Sequence, residues 1–415
     1  MPTARSGFGV AVVNGKIYAI GGGSVVNEMY DPKTDTWTTK APMPTARSGF
    51  GIAVVQNKIY VMGGDDSGLN KVYDPATNTW TTKASLPTPR GGIYANVVDG
   101  KIYVVGGAFS GANADVAIFY DVNEVYDPAT DTWTIKAPIP TPVTGYASAV
   151  VDNKIYVIGG STVNWNEVNL TQIYDPATGT WSNGTPIPTI VAGAGAGATK
   201  GVSAPKRIYV IGGVHYYSPI LYETVNFTQV YDPETDDWSM GATMSKSRTG
   251  FGVAVVDDVL YAIGGNGVIG SGSLIYGISG PPYGTNEQYT PFGYELVLPA
   301  VSVFSPENKT YTSVNVSLTF TVNRPVVWTG FSLDGQDNVT ITGNTTLYGL
   351  SSGLHNVTVY AKDAFENTGT SETIIFSIAE KPEPEPFPTT LVVASAVSVA
   401  IVGTGILIYF RKRHH

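Results

Sequence analysis

The 415-residue chain contains no cysteine. That excludes disulfides, thiolate metal centres and cysteine nucleophiles together, and it leaves the redox compartment undecided. Charge is scarce as well: Asp, Glu, Lys and Arg make up 14% of the chain, against ~25% in ordinary soluble domains. The formal net charge is −9, so nucleic acid, which needs basic patches, is not an expected partner. Of the 4 histidines, His215 is the single one before residue 292, and a histidine pair with metal-ligand spacing is absent there. The chain shows neither an Asp-His-Ser order nor a phosphate-binding glycine loop, and no cofactor is expected.

What is abundant is glycine, 48 residues, and tyrosine, 25 residues. Both are periodic. A Tyr-Asp-Pro turn is followed by Trp at one fixed spacing: Tyr30 and Trp37, Tyr73 and Trp80, Tyr126 and Trp133, Tyr174 and Trp181, Tyr231 and Trp238. Each is preceded by a Gly-Gly pair closing an apolar run, at Gly21, Gly63, Gly106, Gly159 and Gly212, with a sixth pair at Gly264. Within a repeat, two apolar runs flank a pair such as Asn14-Gly15, Gln56-Asn57, Asp99-Gly100 or Asp152-Asn153, residues that tolerate the positive φ of a tight hairpin. Four strands returning every 42 to 53 residues is the arithmetic of a propeller blade.

The di-glycine, the Tyr of strand three and the Trp beyond it resemble the kelch repeat over residues 1–291. The resemblance implies a six-bladed β-propeller in which Tyr and Trp pack neighbouring blades together. Blade six departs from it, since no Trp follows Asn286-Glu287-Gln288-Tyr289. Met1 to Gly9 repeats Met43 to Gly51, the stretch that follows the fourth strand of blade one. The expectation is that blade six lacks a fourth strand which sequence upstream of Met1 would supply, with Phe292 to Leu298 as the local substitute.

From Val297 to Ala379 the repeat is gone. Val314, Val316, Leu318, Phe320 and Val322 alternate with polar residues, as do Val357 and Val359, then Ile374, Phe376 and Ile378. Strands with one wet face follow, and residues 292–379 look similar to an immunoglobulin-like or fibronectin-type β-sandwich without its disulfide. Residues 380–388 form a Pro-rich spacer. Residues 389–410 are expected to be one transmembrane helix, because Leu391 to Phe410 carries no charge over a length that spans ~30 Å of hydrocarbon. Arg411, Lys412 and Arg413 in the tail 411–415 put the C-terminus in the cytoplasm and the rest of the chain outside. The tail also resembles archaeal C-terminal sorting signals, which implies a span exchanged for a lipid.

Candidate sites fall in three groups. The loops between strands two and three vary most among repeats and hold Asp65, Asp66, Phe109, Asp115, Trp165, His215, Tyr216, Tyr217, Tyr222 and Tyr283, a composition suited to a protein or glycan partner. Arg5, Arg47, Arg90 and Arg248 sit where strand four passes to strand one, with Val143 and Ile190 roughly equivalent elsewhere. By the kelch resemblance they lie at a mouth of the central channel, where they clamp a carboxylate or phosphate or else hydrogen-bond loop carbonyls of adjacent blades. Acceptor patterns for glycosylation occur at Asn169, Asn183, Asn226, Asn308, Asn315, Asn338, Asn344 and Asn356.

The expected function is that of a membrane-anchored cell-surface module for binding or adhesion. The competing class is a carbohydrate-active epimerase or lyase using propeller Arg and carboxylates. The kelch-type copper oxidases resemble this fold but require a Cys-Tyr crosslink and His ligands, whereas here Cys is absent and the propeller holds a single His, His215.

Overall fold

The computed structural model describes residues 1–64, 67–110, 117–218, 221–271, 278–294, 297–363 and 367–380. The expected span Leu391–Phe410, the Pro-rich spacer from residue 381 and Arg411 to Arg413 lie outside them. Among the described residues no helix is long and apolar enough to cross a membrane. The described chain is all β apart from one 3-10 turn, Val163–Trp165, and it divides into two units after Leu298 rather than after Pro291.

The first unit is a series of antiparallel sheets in sequence order. Sheet one comprises Phe8–Val13, Lys16–Gly21, Asn27–Asp31 and Thr36–Thr39, paired in that order. Sheets two to five repeat it, from Gly51–Val55, Ala95–Val98, Ala147–Val151 and Gly195–Ala198 onward. The expected hairpin turns are present, with positive φ at Asn14, Gln56, Asp99, Asp152 and Asp257. In sheet six, Gly252–Val256, Val259–Ile263 and Asn286–Tyr289 form three strands, and no fourth strand pairs with them among the described residues. Phe292, in the proposed substitute, is 93% exposed.

One hydrogen bond repeats around the unit and shows how the sheets join. The second glycine of each Gly-Gly pair donates to the carbonyl of Arg47, Arg90, Val143, Val191 or Arg248 at the start of the next sheet, at 2.8 to 3.1 Å; Gly265 of sheet six donates to Arg5 at 3.0 Å. The circle is thereby closed through inner strands. Two arcs of glycine-to-glycine bonds lie inside it. Gly7 donates to Gly250, Gly49 to Gly7, Gly145 to Gly92 and Gly193 to Gly145, at 2.7 to 3.2 Å, so a waist of backbone lines the channel. A side chain at these positions would need φ near +60° and would narrow the waist.

The apolar core sits between sheets, because both faces of each sheet are covered. Ala11, Val13, Tyr18 and Ile20 of sheet one pack with Ile59, Val61 and Tyr73 of sheet two. The repeated aromatics stand in one arrangement, Tyr over Trp with ring centroids 5.0 to 5.1 Å apart in all five pairs. Each indole beyond the first crosses to the preceding sheet: Trp80 donates to Ala41, Trp133 to Ala84, Trp181 to Ala137 and Trp238 to Thr185, at 2.9 to 3.0 Å. A buried indole N–H needs such an acceptor, and the fixed Tyr-to-Trp spacing delivers it.

The second unit holds two sheets around one cluster. Val301–Ser305, Val316–Val322 and Thr345–Leu347 make a three-stranded sheet; Gly353–Lys362 is central to a six-stranded one with Trp328–Leu333 and Ile374–Ile378. Val316, Leu318 and Leu347 from the first meet Phe331, Val357, Val359, Phe376 and Ile378 from the second. The alternation read from the sequence therefore marks the inner face. Val314 is the exception: it precedes its strand and is exposed.

Candidate functional site: the loop face of the first unit

Loops between second and third strands gather around a depression of about 770 Å³. Its floor is the glycine waist, at Gly92, Gly145 and Gly193, with Thr144 and Thr249 beside it. Its rim carries Phe109, Trp165 and Tyr216. The loops that build the rim are ordered by pairing of their own. Ala108–Ser110 pairs with Ala117–Phe119, and Val214–Ser218 pairs with Leu221–Thr224, which continues onto Asn266–Ser271 from sheet six.

Two of the rim aromatics are braced by another ring. Trp165 is 56% exposed, has φ of +60°, and meets Phe119 edge to face at 5.3 Å. Tyr216 is 40% exposed and stacks on Tyr222 at 4.8 Å and 26°. Behind Tyr216 lies Glu167, whose Oε1 is enclosed and without a hydrogen-bond partner. Burial pushes its carboxyl up to about 7, opposed by a hydrogen bond from the Tyr216 backbone. Sequence reasoning passed over Glu167, because nothing local distinguishes it from an exposed loop acid.

The other expected face residues separate. His215 Nδ1 lies 2.8 Å from the Ile190 carbonyl. Tyr222 supports Tyr216 from beneath rather than forming the rim. Tyr283 is half-buried and covered by Lys246 and Arg248, whose cationic groups lie 5.2 and 5.6 Å from its ring. Tyr217 belongs to the strand Val214–Ser218. Asp65, Asp66 and Asp115 lie outside the described residues.

The four arginines are not presented to the depression. They are 0 to 4% exposed, and each is spent on its own sheet. Arg5 meets Glu28 at 2.5 Å and the Ala19 carbonyl at 2.7 Å. Arg90 meets Glu124 at 2.5 Å and the carbonyls of Thr88, Gly106 and Val104. Arg248 pairs with Glu287 and bonds Gly264. Arg47 caps the carbonyls of Gly63 and Leu69, both at 2.8 Å. The bonds go to carbonyls, as one of the two readings has it, but to carbonyls of the same sheet rather than of adjacent blades, because each guanidinium turns onto its own second strand; an ion pair joins them in three cases. The equivalent position in sheet five is Val191 rather than Ile190, since Val191 accepts the repeated glycine hydrogen bond.

The glycosylation candidates Asn169, Asn183, Asn308, Asn315, Asn338 and Asn344 are exposed, whereas Asn226 and Asn356 are half-buried. Asn226 donates to the Met244 carbonyl at 3.0 Å, and Asn315 and Asn344 accept from the Gly349 and Phe320 amides.

Sheets packed face to face around a glycine-lined channel, with Tyr and Trp at fixed positions, define a kelch-type propeller. The chain belongs to the Attractin/LZTR1 beta-propeller family, whose model matches residues 59–273, and a Kelch motif model matches residues 4–44. It is similar to Kelch-like protein 15 of Danio rerio, 30% identical over 158 residues, 35% of this chain and 26% of that protein. Kelch-like protein terF of Aspergillus terreus is 28% identical over 149 residues, 35% of this chain and 32% of that one. Halomucin of Haloquadratum walsbyi is 36% identical over 93 residues, 20% of this chain and 1% of the relative. The matched part spans about a quarter of the length of Kelch-like protein 15. Among solved structures, that titled "Structure of YjhT" matches with a TM-score of 0.56 at 19% identity, covering 68% of this chain and 98% of the other. At that identity the likeness concerns the fold.

Proposed function

We propose that the chain is a binding module of the cell surface: a six-bladed kelch propeller that presents its loop face to a protein or glycan, followed by an immunoglobulin-like β-sandwich and a membrane anchor at Leu391–Phe410. The observation that carries the binding assignment is the depression rimmed by exposed aromatics braced from behind. A ring already held in place loses little conformational freedom when a partner covers it, so its buried area converts efficiently into affinity. Anchoring and outward orientation rest on the uncharged run and on the Arg-Lys-Arg end that follows it. The enzyme alternative drew on propeller Arg and carboxylates, and the pairing of Arg5, Arg90 and Arg248 with acids of their own sheets weighs against it.

The test is capture of surface proteins and glycans by the immobilised chain, with Trp165→Ala and Tyr216→Ala variants in parallel. Binding is expected to fall at least tenfold in each variant with an unchanged melting temperature. Undiminished capture by both variants would place recognition elsewhere. For topology, protease added to intact cells should digest the propeller and spare a C-terminal epitope; digestion that requires lysis would reverse the orientation.

A further inference from the structure

The loop face has a charge pattern that narrows its ligand. The segments joining second to third strands, 22–26, 64–69, 107–122, 160–170, 213–227 and 265–285, contain no Lys and no Arg. Their charged residues are acids, with His215 the single exception and tied to a backbone carbonyl. The arginines at the mouth are buried in their own sheets. Lys246 lies over Tyr283 but does not line the depression, so an anionic ligand there finds no cation on the loops around it and its charge would be desolvated without compensation. Among the described residues lining the depression none carries a formal charge.

What the lining does offer is hydrogen-bonding capacity beside flat apolar rings. The Thr144 hydroxyl donates to Gly92 and the Thr249 hydroxyl to Gly193, at 3.2 and 2.9 Å, so both keep lone pairs for an incoming donor. Ser161 adds a third hydroxyl. At about 770 Å³ the space lies within the range of roughly 300–1,000 Å³ usual for ligand sites.

We propose that this depression binds an uncharged oligosaccharide, with a sugar ring laid against Trp165 or Tyr216 and its hydroxyls donating to Thr144, Ser161 and Thr249. A pyranose matches each feature: its C–H face suits the negative face of an aromatic ring, its many O–H donors suit an acceptor-rich floor, and it brings no charge. Glu167 behind Tyr216 fits the same environment, because burial holds its carboxyl toward the neutral form. The proposal rests on the loop face being the binding surface, and it commits that surface to sugar rather than to protein.

Titration calorimetry of the full chain against maltotriose, cellotriose and mannotriose, beside trigalacturonate and sialyllactose, tests it. At least one neutral trisaccharide should bind saturably, with affinity that barely changes between low and high salt. Trp165→Ala or Tyr216→Ala should weaken it at least tenfold, and Thr144→Val should weaken it while leaving the rim intact. Binding confined to the acidic sugars, no binding of any sugar in the panel, or neutral-sugar binding indifferent to all three variants would each overturn the proposal. Capture of a protein that depends on Trp165 and Tyr216, with no sugar bound, would also overturn it while leaving the loop face as the binding surface. Loss of every dependence on those residues would remove both readings.

Discussion

Sheets three and four solve one problem with different chemistry. In sheet three, Arg90 donates to the Thr88 carbonyl at 2.7 Å, and Glu124 holds both that guanidinium and the Thr88 hydroxyl. In sheet four the arginine position is Val143 and the carboxylate position is Gln172. There the Gln172 amide donates to the Thr141 carbonyl at 3.0 Å and accepts from the Thr141 amide at 2.9 Å. Sheet five repeats the neutral version with Val191, Gln229 and Thr189. Sheets one and six use the charged version, Arg5 with Glu28 and Arg248 with Glu287. Where the cation is lost the anion is lost with it, because a carboxylate left buried alone would cost several kcal/mol. Arg5, Arg90 and Arg248 are thus half of an interchangeable internal fastening, and no ligand is needed to explain them.

The largest expected effect comes from breaking one half. Arg90→Ala leaves Glu124, with its side chain 1% exposed, without its cation and should cost about 3–5 kcal/mol in denaturant unfolding. Arg90→Val combined with Glu124→Gln copies sheet four and should restore more than half of that loss. A double variant as damaged as the sum of the singles would mean that the two fastenings are not equivalent. Gln172→Ala, which removes the clamp on Thr141 from the neutral side of the comparison, should cost less, about 1–3 kcal/mol.

Glu167 extends the comparison to a carboxyl that has no cation. Its folded value of about 7 lies above the ordinary 4.5, so the native state holds its proton more tightly than the unfolded chain. Its contribution to stability is full below pH 4.5 and is lost as pH rises to about 7. Glu167→Gln should flatten that part of the stability profile and stabilise the protein at pH 8, with little change at pH 4. An unaltered profile would show that the group is solvated. The smallest effect belongs to the surface pair Lys101 and Asp127, 3.0 Å apart with the lysine side chain 50% exposed. The lysine holds the aspartate carboxyl below its usual range. Lys101→Ala should leave the denaturant midpoint nearly unchanged, because solvent and salt screen an exposed pair.

Much of the fold was legible because a propeller repeats. The Gly-Gly pairs, hairpin turns and Tyr-to-Trp spacing are local signals, and repetition raised them above chance. The sheet order, the turns at positive φ and the packing of Tyr on Trp all match that reading. The candidate site was legible only as a set of loops. Trp165 and Tyr216 stand on the rim as expected, but Tyr222 and Tyr283 are coverings, and no sequence signal separates an exposed tyrosine from one beneath another ring. The arginine position was placed one residue early in sheet five, at Ile190, for want of a local landmark in Thr189-Ile190-Val191.

What the sequence by itself determined is everything that depends on neighbours along the chain: strands, their turns, the blade period and the scarcity of cations on the loop face. Tertiary structure alone decided which charges are consumed and which rings are exposed. Arg90 and Glu124 are 34 residues apart, Gly265 meets Arg5 across nearly the whole unit, and Trp165 is braced by Phe119 from the preceding repeat. Such pairings arise when strands distant in the chain are laid side by side and sheets are packed face to face, and spacing along one strand cannot encode them.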